Sequence, residues 1–269
     1  MDAILYDWHL TDSCPLNVQY FVCQPGQRSL PEDMHSAVHV TIVLDGDFTG
    51  QCSREIYSIL TGGVALTAPW EPHRRLSSEK GNKLLMLTAA PDAVNRVMLR
   101  GAEKMNLLYR TPFSERQKIL SRLKLDPKLP RTILKLLSTP ETPERELRLW
   151  HAALGIFIEI ASLDFSADPD PDPDYPRLLP ALQRLGNQPL TVPEAAGLCG
   201  LSESRFAHLF SRVFGMPFAR YERLFRLRCA VEEMNRLHSG LKETAENWGF
   251  YDNSHFSKAV KKYLAGSGR

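Results

Sequence analysis

The stretch from Leu190 to Tyr263 writes one short unit twice, and nothing else in the chain limits its fold as tightly. Each copy is a short segment carrying an alanine, a glycine-containing turn, and a longer amphipathic segment. In the first copy Thr191 suits a helix cap with Pro193 in the opening turn, Gly200 makes the turn, and Ser202 caps the next helix. Phe206, Leu209, Phe210 and Val213 then recur at spacings of three and four, and Gly215 is placed to stop the run. In the second copy Asp252 is the cap, after Gly249 and Phe250. Phe256, Ala259, Val260 and Tyr263 repeat the apolar stripe. The residues left outside the stripes are small, polar or basic.

Such a pair is the outline of a double helix-turn-helix, with the longer segments as candidate groove-reading helices. The string Leu201-Ser202, Phe210, Gly215, Tyr221, Arg226, Ala230, Ala245, Gly249-Phe250 and Phe256-Ser257-Lys258 resembles the DNA-binding domain of the AraC/XylS family of bacterial transcription regulators. The resemblance covers the last third of the chain. It implies two recognition helices in successive major grooves, about 34 Å apart on one side of the duplex. It also implies that base contacts come from Ser204, Ala207 and His208 in the first helix, and from Asn253, Ser254, Ser257 and Lys258 in the second. Chemically, Ala207 offers only a contact to a thymine methyl, His208 and Lys258 reach guanine acceptors, and Asn253 pairs with adenine. Arg205, Arg212, Lys261 and Lys262 suit phosphates, which set register without reading sequence. Arg226 reads as a structural bridge between lobes, on a long helix from Phe218 to His238. Trp248 and Phe250 fall on the apolar side of their unit and read as core.

Charge is divided along the chain. Residues 177–269 carry 14 Lys and Arg against 8 Asp and Glu, a net of +6, whereas residues 1–176 carry 19 against 23, a net of −4. A basic tail on an acidic body fits a nucleic-acid partner for the tail alone. Five cysteines without paired spacing point to reduced thiols rather than a disulfide framework. No apolar run reaches the length of a membrane span and the N-terminus lacks a signal-peptide pattern, so a cytoplasmic protein with no membrane partner is expected.

Between Leu16 and about Ala90 the pattern turns to short strands: Asn17 to Cys23, Ala37 to Leu44, Glu55 to Leu60, Gly63 to Thr67 and Lys83 to Leu87. Asp45-Gly46, Gly62-Gly63, Pro69, Pro72 and Gly81-Asn82 are expected to separate them. They predict a small antiparallel barrel or sandwich, and their order resembles the cupin-type sensor domain upstream in the same regulator family. Helices are expected over Val94 to Tyr109, Ser114 to Leu125, Pro130 to Ser138 and Thr142 to Leu163. The last has a stripe wide enough either to pair two subunits, as the resemblance implies, or to pack on the barrel. The alternating Asp and Pro of residues 166–176 read as a semi-rigid acidic spacer. The fold class is therefore α+β: a cupin-like antiparallel barrel with helices over residues 1–165, the spacer, and an all-α double helix-turn-helix domain over 177–269.

The barrel interior is the default place for a small-molecule effector, with His39, Thr41, Tyr57, Trp70 and His73 as candidate lining. His35, His39 and His73, with Glu55 or Glu71, are the one plausible metal set. The His-x-His pair of metal-binding cupins is absent, and in a regular strand His35 and His39 would lie about 13 Å apart. No metal or other cofactor is therefore expected. No phosphate loop, nucleophile elbow or paired carboxylates argue for an enzyme. The expected partners are double-stranded DNA, an effector, RNA polymerase at a promoter, and a second copy through residues 142–163. Two alternatives remain: a cupin-like metalloenzyme with a helical tail, and a partner-binding protein whose helix-turn-helix has lost DNA, which Ala207 would suit.

Overall fold

The computed structural model describes residues 10–27, 29–76, 80–164, 171–250 and 252–265. Six antiparallel strands come first: β1 (Leu16–Cys23), β2 (Val38–Cys52), β3 (Glu55–Leu60), β4 (Val64–Thr67), β5 (His73–Arg75) and β6 (Asn82–Ala89). Their order is β1-β6-β2-β3, with β4 and β5 also paired to β2. The first half of β2 pairs with β6 and β4, and its second half with β3 and β5. One strand thus belongs to two sheets that face each other. Phe48 and Ile59 from one side pack with Val43, Ala65 and Leu84 from the other.

The expected turn at Asp45-Gly46 is a bulge inside continuous strand. The β2–β6 register shifts between Val43 and Asp45, and Gly46 takes a positive φ of 79°. A bulge of this kind bends the strand without ending it. Glycine is required for a second reason, since a Cβ there would sit 2.5 Å from the Gly81 carbonyl oxygen.

Alternation along β2 sorts its side chains. Val38, Val40 and Ile42 point outward, joined by Val64, Leu66, Leu85 and Leu87 of the neighbouring strands. Helices α1 (Pro91–Met98), α2 (Gly101–Arg110), α3 (Phe113–Leu120), α4 (Lys128–Leu137) and α5 (Pro143–Ala161) supply the residues that cover this apolar face. The single helix expected over Val94 to Tyr109 is two, because Leu99 has a φ of 51° between α1 and α2. On α5, capped by Thr142 through the Arg145 amide, Leu149, Ile156, Phe157 and Ile160 are consumed by this core. Of the wide stripe expected to pair subunits, Leu147 and Ile158 remain exposed.

The tail is helical: α6 (Tyr175–Gln183), α7 (Val192–Leu198), α8 (Glu203–Phe214), α9 (Phe218–Leu237), α10 (Leu241–Asn247) and α11 (Asn253–Ala265). Residues of α6, α7, α8 and the start of α9 share one core, and those of α9's later turns, α10 and α11 share another. Of the expected spacer, residues 166–170 lie outside the described residues, and α6 already begins at Tyr175. No helix among the described residues is long and apolar enough to cross a membrane.

Replacing Gly46 by alanine should lower stability by about 1–3 kcal/mol, because the left-handed backbone and the Gly81 carbonyl both oppose a side chain. Urea unfolding of the two proteins measures it, with a lower midpoint and an unchanged slope as the expected result.

Candidate nucleic-acid interface and junction pockets

Local chemistry sets both helix-turn-helix units. Thr191 and Glu194 form a reciprocal capping box on α7, and the Ser202 side chain accepts from the Arg205 amide at the start of α8. Gly215 ends α8 in the left-handed conformation at φ 75°. In the second unit Asp252 accepts from the amides of Ser254 (2.8 Å) and His255 (3.2 Å) at the start of α11. Phe206, Leu209 and Phe210 of α8 and Phe256, Val260 and Tyr263 of α11 are buried. Ser204, Arg205, Ala207 and His208 are exposed on α8. On α11 Ser254, Lys258, Lys261 and Lys262 are exposed, while Asn253 and Ser257 are half-buried.

Arg226 ties the two units together. Its guanidinium lies against the Glu222 carboxylate, donates to the Trp248 carbonyl at 2.7 Å, and sits 4.8 Å over the Phe250 ring. Glu222 in turn accepts from the Leu190 amide at 3.3 Å, so a buried charge pair links the entry of the first unit to the turn of the second. A planar fork with several fixed donors suits such a junction.

The tail is docked on the barrel. The Tyr175, Tyr221 and Tyr263 hydroxyls donate to the carbonyls of Pro69 (2.8 Å), Trp70 (2.7 Å) and Glu32 (3.1 Å). Met34 is wholly buried among α6–α9 side chains, and Arg228 of α9 pairs with Asp33 at 2.8 Å and with Glu232 at 2.7 Å. At the far end of α8, the Arg54 guanidinium donates to the Gly215 carbonyl at 2.6 Å. Arg212, expected to meet phosphate, instead holds Asp172 (2.8 and 3.1 Å) and Asp174 (2.6 Å). The hydrogen bond to Asp172 raises the Arg212 pKa. The described end of the acidic spacer is thus bound to the first recognition helix. Neither Asp172 nor Asp174 was singled out from the sequence, although their acidity was visible there.

Two of the spaces where barrel and tail meet take in the residues expected to line an effector site. His39, Thr41, Tyr57 and His73 line a cavity of about 70 Å³ inside the folded sheet, together with Thr67 and Met86. That volume admits a few waters and not an organic effector. Trp70 is not among its lining; it packs on Phe225 with ring centres 6.0 Å apart. Trp70 belongs instead to a cleft of about 920 Å³ between barrel and tail, which Tyr109, Arg110, Tyr175, Arg228 and Trp248 also line. Among the described residues, the buried Arg110 Nε and Arg228 Nη2 have no hydrogen-bond acceptor. Sequence reasoning missed both arginines, which come from distant helices and share no motif.

The histidines are closer than strand geometry implies. His35 precedes β2, so the rise of a regular strand does not apply between it and His39. Their ring centres are 4.4 Å apart, and each lies 5.0 Å from that of His73. Burial lowers the His35 pKa to about 3 although the Asp33 charge pulls it up, and burial, then the charges of His35, His73 and Arg228, hold His39 well below its usual value. The two acids considered as a fourth ligand are elsewhere: Glu71 is paired with the fully buried Arg116, and Glu55 is exposed.

Two capped helix-turn-helix units clamped by one helix thus follow a folded antiparallel sheet. Residues 177–267 match the family described as "Helix-turn-helix domain". The whole fold is similar to that of ToxT from Vibrio cholerae, at 11% identity and a TM-score of 0.61 over 93% of this chain and 95% of that one. Wild-type ToxT of strain SCE256 bound to an unsaturated fatty acid is similar at 13% identity and a TM-score of 0.58, over 93% and 92% of the two chains. ToxT of strain O395 bound to (E)-4-(8-methylnaphthalen-1-yl)but-3-enoic acid gives 10% identity and 0.57, over 92% and 94%. No curated protein sequence matches the chain.

Arg226→Lys keeps the charge but loses the fork, and should destabilise the tail by about 1–3 kcal/mol. Thermal unfolding followed by tryptophan emission is the measurement, since Trp248 supplies the carbonyl that Arg226 binds.

Proposed function

We propose that the protein is a sequence-specific DNA-binding transcription regulator whose tail is restrained by the barrel and released or repositioned by a small-molecule effector. The observation that carries this is the pair of exposed polar faces on α8 and α11, clamped at one spacing by Arg226 of α9. His208, Asn253 and Lys258 read bases, with Ser204, Ala207, Ser254 and Ser257 beside them. Arg205, Lys261 and Lys262 hold phosphates. Arg212 joins them when Asp172 and Asp174 let go. Function in the cytoplasm and action through RNA polymerase belong to the same reading, as does pairing through residues 142–163, for which α5 keeps Leu147 and Ile158 exposed.

The effector site is the junction cleft rather than the sheet interior, because, of these two, the cleft has the volume of a ligand pocket, roughly 300–1,000 Å³. Its aromatic wall and the arginines Arg110 and Arg228 that line it suit a large apolar carboxylic acid. The two ToxT ligands are of that class. Binding between barrel and tail shifts the docking equilibrium only by as much as it prefers one arrangement.

In vitro selection of bound duplexes, followed by a salt series, tests the DNA reading. A recovered motif with two half-sites about one turn apart is expected, with affinity falling steeply as salt rises. Binding indifferent to salt would sink it. On the selected site Asn253→Ala should cost about 1–3 kcal/mol at one base pair and leave the others unchanged. The double variant Asp172→Asn, Asp174→Asn should bind more tightly and steepen the salt slope by about one phosphate contact. For the effector, a long-chain carboxylic acid should change the emission of Trp70 and Trp248, with Arg110→Ala weakening that response at least tenfold.

A further inference from the structure

We propose that His35, His39 and His73 form a binding site for one divalent transition-metal ion of the zinc class, set between the folded sheet and the tail. Each histidine offers one nitrogen, and the three nitrogens all lie within 4.8 Å of one another. In tetrahedral zinc coordination by imidazoles such atoms are about 3.3 Å apart, so the rings close on an ion by small rotations. Their planes are inclined at 59°, 83° and 77°, so the rings are not stacked. Nδ1 of His73 is 2.8 Å from the Glu71 carbonyl oxygen, to which it donates, leaving Nε2 with a lone pair. Ligating histidines are typically oriented in this way through their other nitrogen.

Charge around the site is balanced rather than hostile. Arg228 faces it but is bracketed by Asp33 and Glu232, and Arg74 of the same cavity donates both its Nε and an Nη to Gln51. Arg75 also lines the cavity. Of the nearby acids among the described residues, Glu71 is committed to Arg116 and Asp33 to Arg228. The fourth position is left to water, for which the cavity of about 70 Å³ has room. The place of the site gives it leverage. His73 and Asp33 exchange backbone hydrogen bonds of 2.8 and 2.9 Å, and the Asp33 carboxylate grips α9. An ion here would fix residues 33–35, on which the tail docks, to the sheet.

The test uses the full chain stripped with a chelator, titrated with Zn²⁺ by calorimetry and with Co²⁺ by visible absorption, without DNA or effector. It is therefore independent of the reading above. One ion per chain is expected, with the strong d–d absorption of tetrahedral cobalt and no thiolate charge-transfer band. His39→Asn and His73→Asn should each weaken binding at least tenfold. Absence of stoichiometric binding, a thiolate band, or unchanged affinity in both variants would overturn the site. If the variants fail to fold by circular dichroism, zinc-edge X-ray absorption of the native chain decides: three imidazole nitrogens support it, and sulfur or oxygen-only ligation rejects it.

Discussion

Everything at the junction depends on the alternation of side chains along β2. Its even-numbered residues from Val38 to Ile42 close the apolar core with the five helices, so His39 and Thr41 are obliged to face the other way. That single constraint places His39 and Thr41 inside the folded sheet, on the same face of β2 as the apolar Val43. The bulge at Gly46 then turns the strand so that its second half can roof the same interior with Phe48 and Tyr57.

The tail carries its own discipline. Helix α9 is apolar at both ends of its buried face and joins two cores that would otherwise be separate small bundles. A domain of some ninety residues split into two cores has little burial in each, so the Glu222–Arg226 pair at their seam has structural weight. Buried charges of this kind stabilise less than their Coulomb energy suggests, but they are intolerant of other geometries. The spacing of the two recognition helices follows from that intolerance.

What was legible in the sequence was mostly local. The caps at Thr191, Ser202 and Asp252, the stop at Gly215 and the buried stripes of α8 and α11 all act within a few residues, and each stands where the sequence puts it. The antiparallel strands and the helices after them were legible for the same reason. What was missed depends on partners far along the chain. Asp45-Gly46 looks like a turn until Gly81, just before β6, is brought against it. Arg212 looks like a free cation until Asp172 folds back 40 residues to meet it. The histidines looked too distant because the spacing rule for a strand was applied to His35, which lies before the strand begins. The face of β2 that points inward could not be assigned until the helices claimed the other.

The three tyrosine hydroxyls that moor the tail all end on main-chain carbonyls, of Pro69, Trp70 and Glu32. Every residue presents that same oxygen, so these three bonds recognise the course of the barrel's backbone and leave side-chain recognition to the contacts of Asp33, Met34 and Arg54. Loops around the cleft are thereby free to change their chemistry, and with it the molecule they admit, while the tail continues to settle in the same berth.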